Sequence, residues 1–139
     1  MKEFLSTLPN FLAYTGVLVL LLIVGLILFE LTTKNREFKL IAEGNVAAAL
    51  SIGGRLFGLA FVLGAAAANS ISLMDMIVWG VIGILAQIIL FLLLEGITVM
   101  LAHMPSITKA IDDNNVAVGT FVLMLSLSLG WVIAQALTY

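Results

Sequence analysis

Four long apolar stretches, separated by three short polar ones, set the pattern of this chain. The apolar stretches run over about 11–32, 45–68, 76–102 and 115–137, and the polar connections over 33–44, 69–75 and 103–114. Each apolar stretch matches the roughly 20 residues a helix needs to cross ~30 Å of hydrocarbon. Polar residues inside them are too sparse and irregular for the alternation of a membrane β-strand, and in lipid each span must satisfy its own backbone hydrogen bonds. The pattern predicts an all-α, polytopic membrane protein with four transmembrane helices in one domain, residues 1–139.

Composition narrows the function. Of 139 residues, 63% are apolar and only 10% charged, against about 45–50% and 25% in a soluble domain. Four spans use most of the length, so no separate catalytic or nucleic-acid-binding domain is expected. Six basic and eight acidic residues give a formal charge of -2, and no basic tract is present that tracks a phosphate backbone, which argues against nucleic acid. With no cysteine and a single histidine, His103, the chain offers no thiolate or imidazole metal cluster. Neither a phosphate-binding glycine loop nor a convergent Ser, His and Asp set occurs, so the expectation is a non-enzymatic protein without metal or cofactor. The first apolar stretch exceeds the 7–15 residues of a signal-peptide core and reads as a retained helix.

Orientation follows from the basic residues, which are retained in cytoplasmic loops. Lys34, Arg36, Lys39 and Lys109 fall in the first and third connections, and Lys2 alone lies on the other side. Both termini are therefore expected outside. Shifting the chain by 70 residues lays Lys39-Leu-Ile-Ala-Glu-Gly-Asn-Val-Ala47 on Lys109-Ala-Ile-Asp-Asp-Asn-Asn-Val-Ala117, with five identities in nine positions. The expected architecture is two helical hairpins, about 11–68 and 76–137, entering the membrane in the same direction as a parallel repeat.

Several residues stand out against the apolar background. Gly54 and Gly58 in the second span, and Gly119 and Gly130 in the fourth, mark faces where helix backbones approach closely. Arg55 lies about eleven residues into its span, where an arginine costs about 2.5–3.5 kcal/mol and needs a partner or a wet cavity. Glu95, at a comparable depth in the third span, is the expected partner. Gln87, Glu95 and Thr98 share one face of that span with Gly80 and Gly83 at 100° per residue, and with Arg55 they form a candidate intramembrane pathway. Glu30 reads as an interfacial anchor. Asp75 is the expected N-cap of the third helix, Gly44 or Asn45 that of the second and Asp113 or Asn114 that of the fourth, while Asn45 and Asn115 form the repeat signature at the two helix starts. Lys34, Arg36, Lys39 and Lys109 are candidate contacts for anionic lipid headgroups.

These motifs resemble a known family. Gly44-Asn-Val-Ala-Ala-Ala-Leu50 with Gly54 and Gly58, then Ala68-Asn-Ser-Ile-Ser72 with Asp75, Trp79-Gly80 with Gln87 and Phe91, Asn115-Val-Ala-Val-Gly119 and the ending Gln135-Ala-Leu-Thr-Tyr139 are similar to the YjfL-like family of small bacterial inner-membrane proteins. The resemblance implies a four-span, twice-repeated unit in a bacterial cytoplasmic membrane, in a family of unknown function.

Together these readings lead to the expectation of a homo-oligomeric, channel-like or transport component for ions or small solutes, with the lipid bilayer as its constant partner. The alternative is a non-conducting subunit or scaffold that recruits a cytoplasmic, envelope-stress or lipid-linked partner through its cytoplasmic loops.

Overall fold

A computed structural model describes residues 1–33, 36–103 and 106–138. Six helices follow one another: α1 (Lys2–Thr32), α2 (Glu37–Ala42), α3 (Val46–Asn69), α4 (Leu73–Ala102), α5 (Ile107–Asp112) and α6 (Val116–Ala136). Four of them, α1, α3, α4 and α6, are long and apolar enough to cross a membrane. The protein is thus an all-α, polytopic membrane protein. Two features depart from the sequence reading: α1 starts at Lys2 instead of near residue 11, and the first and third polar connections each contain a six-residue helix.

Local chemistry explains the helix starts. Asn45 caps α3 by accepting from the Ala48 amide at 2.8 Å, and Asn115, not the expected Asp113 or Asn114, caps α6 by accepting from the Val118 amide at 3.2 Å. At α4 the expected cap is displaced by three residues. Ser72 is the N-cap, its Oγ accepting from the Asp75 amide at 3.1 Å, while Asp75 Oδ2 accepts from the Ile71 amide at 3.0 Å. This reciprocal arrangement satisfies two amides that helix geometry leaves without partners. Before α3 and α6 the chain turns through left-handed residues, Gly44 at φ +87° and Asn114 at φ +56°, residue types that tolerate that conformation.

Helix α3 is the centre of the bundle. It buries residues over about half of its circumference at 100° per residue, from Ala47 to Ala66, whereas α1 buries only Leu21, Gly25 and Phe29, one turn apart on a single stripe. Along the α3–α6 seam glycines let the two backbones meet. A Cβ on Gly130 would lie 2.5 Å from the Gly58 Cα, one on Gly119 2.7 Å from the Ala47 Cα, and one on Gly54 2.5 Å from the Leu123 Cα. Without a hydrophobic drive between helices in lipid, such close approach supplies the dispersion contacts that hold them together. The short helices join the same seam at one end, where Asn45 Nδ2 donates to the Ile111 carbonyl at 2.7 Å and the Ala47 amide donates to Asn114 Oδ1 at 3.1 Å.

Candidate functional site

Arg55, the tenth residue of α3, points beneath the short helices and is 1% exposed. Its Nη1 donates to Glu37 Oε1 at 2.8 Å, the one ion pair among the described residues. The expected partner was Glu95. The difference lies in the first polar connection, which folds back as α2 and carries Glu37, fully buried, against the α3 helix. A segment read as solvated thus supplies the buried counter-charge from only 18 residues away.

The guanidinium is also held by aromatic faces. Its Cζ lies 4.9 Å from the ring centroid of Phe91 and 5.6 Å from that of Phe29, and the two rings meet edge to face at 5.7 Å. Cation–π contact of this kind stabilises a desolvated cation by about 2 kcal/mol. Around Glu37, Ser51 Oγ makes a long 3.5 Å donation to Oε1, and the Glu37 amide donates to Glu30 Oε1 at 2.9 Å. Glu30, read as an interfacial anchor, therefore also caps the first amide of α2. Burial pushes the Glu37 carboxyl above its ordinary range, the Arg55 charge opposes that rise, and the nearby Glu30 charge adds to it. Glu37 Oε2 and Arg55 Nε are buried without a hydrogen-bond partner.

Above this pair opens a cavity of about 360 Å³, framed by the ends of α1 and α4 and by α5. Arg55 and Glu95 line its walls together with Thr32, Thr33, Lys109 and Asp112. The structure thus brings Arg55 and Glu95 to one polar space without pairing them directly. Thr98 is half-buried on the next turn of α4, outside that lining. Gln87 belongs to a different place. It is fully buried at the α3–α6 seam, where its Nε2 donates to the Ser126 carbonyl at 3.1 Å and lies 2.6 Å from where a Cβ on Gly58 would sit. Along α4 the buried side chains of Ile88 and Phe91 lie between Gln87 and Glu95, so the expected pathway face is interrupted by apolar packing.

The remaining candidates divide in the same way. Gly54, Gly58, Gly119 and Gly130 all sit at the α3–α6 contact. Asn45 and Asn115 cap their helices. Arg36 and Lys39 line a surface groove with Glu43 and Asp112, Lys109 lines the cavity, and Lys34 falls outside the described residues. Among the described residues no group of three or more metal-ligating side chains occurs. The residue missed by sequence reasoning is Glu37. Its signal was the amphipathic run Glu37-Phe-Lys-Leu-Ile-Ala42, too short to register as a helix.

Comparison with known proteins places this arrangement in context. The family described as Domain of Unknown Function (DUF350) matches residues 3–137. The UPF0719 transmembrane protein YshE of Bacillus subtilis is 34% identical over 125 residues, covering 90% of each chain. The UPF0719 inner membrane protein YjfL of Escherichia coli K12 is 31% identical over 135 residues, covering 97% of this chain and 98% of its own. No solved structure matches the chain.

Proposed function

The chain belongs to the DUF350 family, a premise from which we propose that it is a non-enzymatic, multi-pass inner-membrane protein that moves ions or small solutes as a homo-oligomer. Similarity over almost the full length of an inner membrane protein supports the location. The observation that carries the transport reading is the cavity of about 360 Å³ that leads from the α5 side to the buried Arg55 and to Glu95. Burying an arginine in a membrane domain is costly, and such residues mark ion or substrate routes. A parallel two-hairpin repeat suits this role. It is supported by the short helices, whose starts at Glu37 and Ile107 stand 70 residues apart, and by the starts of α3 and α6, which stand 70 apart as well.

Flux provides the test. Proteoliposomes carrying the wild-type protein are expected to show ion-dependent dissipation of a membrane potential well above protein-free vesicles. Arg55→Gln and Glu95→Gln, incorporated to equal levels, are each expected to lower it at least tenfold. Undiminished flux in both variants defeats the reading.

A second reading, a non-conducting subunit, draws support from the interior itself. Within one chain the route below the cavity is filled by Phe91, Ile88 and the glycine seam, and exposed Arg36, Lys39 and Asp112 offer charges to a partner on that side. Absence of flux together with a partner captured through Arg36 and Lys39 favours it.

A further inference from the structure

The charges around the cavity are not balanced at one point. Arg55 is engaged by Glu37 and flanked by Phe29 and Phe91. Lys109 and Asp112 bring opposite charges one turn apart on α5. Glu30 lies outside the lining, with Oε1 held by the Glu37 amide. With Arg55 paired to Glu37 and the α5 charges of opposite sign, Glu95 is the further carboxylate of the lining, and it has no ion pair among the described residues. On the transport reading, on which this inference rests, we propose that the cavity binds one monovalent inorganic cation, with the Glu95 carboxylate as its counter-charge.

Oxygen chemistry in the lining suits a hard cation. Thr32 Oγ1 already donates to the Phe29 carbonyl at 2.7 Å and Thr33 Oγ1 to the Glu30 carbonyl at 3.1 Å. Each hydroxyl has therefore spent its hydrogen and presents oxygen lone pairs, as a neutral cation ligand does. The volume, about 360 Å³, equals roughly ten or more water volumes, enough for an ion that keeps part of its hydration shell. Valence follows from the charges. A divalent ion asks for several carboxylates, and the guanidinium of Arg55 on the same wall opposes a double charge twice as strongly as a single one.

Melting of the full-length protein in an uncharged detergent, followed by the fluorescence of Trp79 and Trp131, tests the site. At equal ionic strength, potassium or sodium chloride is expected to raise the midpoint by about 4 °C over N-methyl-D-glucamine chloride. Matching ionic strength removes general screening as a cause. Glu95→Gln is expected to abolish the rise, while Glu43→Gln, an exposed acid outside the cavity, keeps it. Equal wild-type midpoints, a rise that survives Glu95→Gln, or a larger rise with magnesium chloride overturns the proposal. Flux in vesicles combined with equal midpoints removes this site and leaves transport standing. A cation-dependent rise confined to intact Glu95, without flux, keeps the site and removes transport.

Discussion

Arg55 and Glu37 form a pair in which each side chain makes the other tolerable. Both are essentially removed from solvent, and each retains one buried polar atom without a partner, Nε in Arg55 and Oε2 in Glu37. A buried pair with incomplete hydrogen bonding recovers little of its desolvation cost, so its net contribution to stability is small even though losing one partner is expensive. Arg55→Met alone is expected to destabilise the fold by about 3–5 kcal/mol, because it strands the Glu37 carboxyl, and the double variant Arg55→Met/Glu37→Leu to recover most of that loss. A double-mutant cycle of unfolding in detergent measures the coupling, and simple additivity of the two single losses contradicts it. Recovery of stability without recovery of flux in the double variant separates the structural part of the pair from the part proposed for it in transport.

Helix packing at the next scale rests on backbone contact, and the glycines differ sharply in how much of it they carry. A Cβ on Gly130 would meet the Cα and carbonyl oxygen of Gly58, both at 2.5 Å, with no flexible side chain able to give way. Gly64, on the same bundle, has nothing within 4 Å of its Cβ position. Gly130→Ala is therefore expected to cost about 1–3 kcal/mol by forcing α3 and α6 apart, and Gly64→Ala to gain about 0.5–1 kcal/mol from the better helix former. Denaturant unfolding of the two variants side by side checks the ordering. The glycine face was legible in the sequence because small residues recur at helical spacing, and the four spans were legible because their length alone meets the bilayer. Helices α2 and α5 were not, since six residues show less than two turns of periodicity. Without α2, Glu37 reads as one more loop charge between Arg36 and Lys39, and Glu95 in the third span is the counter-charge that the sequence offers Arg55.

The whole molecule combines a near-repeated backbone with unrepeated chemistry. A shift of 70 residues carries Glu37 to Ile107 and Arg55 to Leu125, and the reverse shift carries Glu95 to Gly25, so the buried pair and the cavity carboxylate have no charged counterparts in the other half of the chain. The short helices and the cavity lie at one end of the spanning helices, and this gives the molecule a sided character across the bilayer. Arg36, Lys39 and Lys109 lie in or beside the short helices α2 and α5, at the end of the bundle where the cavity opens. Lys2 is the basic residue of the opposite end. From the bias of lysine and arginine towards the cytoplasm, the cavity is expected to face inward and both termini outward. Alkaline phosphatase fused to the C-terminus is expected to be active and a fluorescent reporter that matures only in the cytoplasm to stay dark, with the opposite result when either is inserted between α2 and α3. A bright C-terminal fusion reverses the orientation and makes the cavity an outward-facing site. In that case the cation that Glu95 meets comes from outside the cell, and flux driven by an inward gradient becomes the direction to measure.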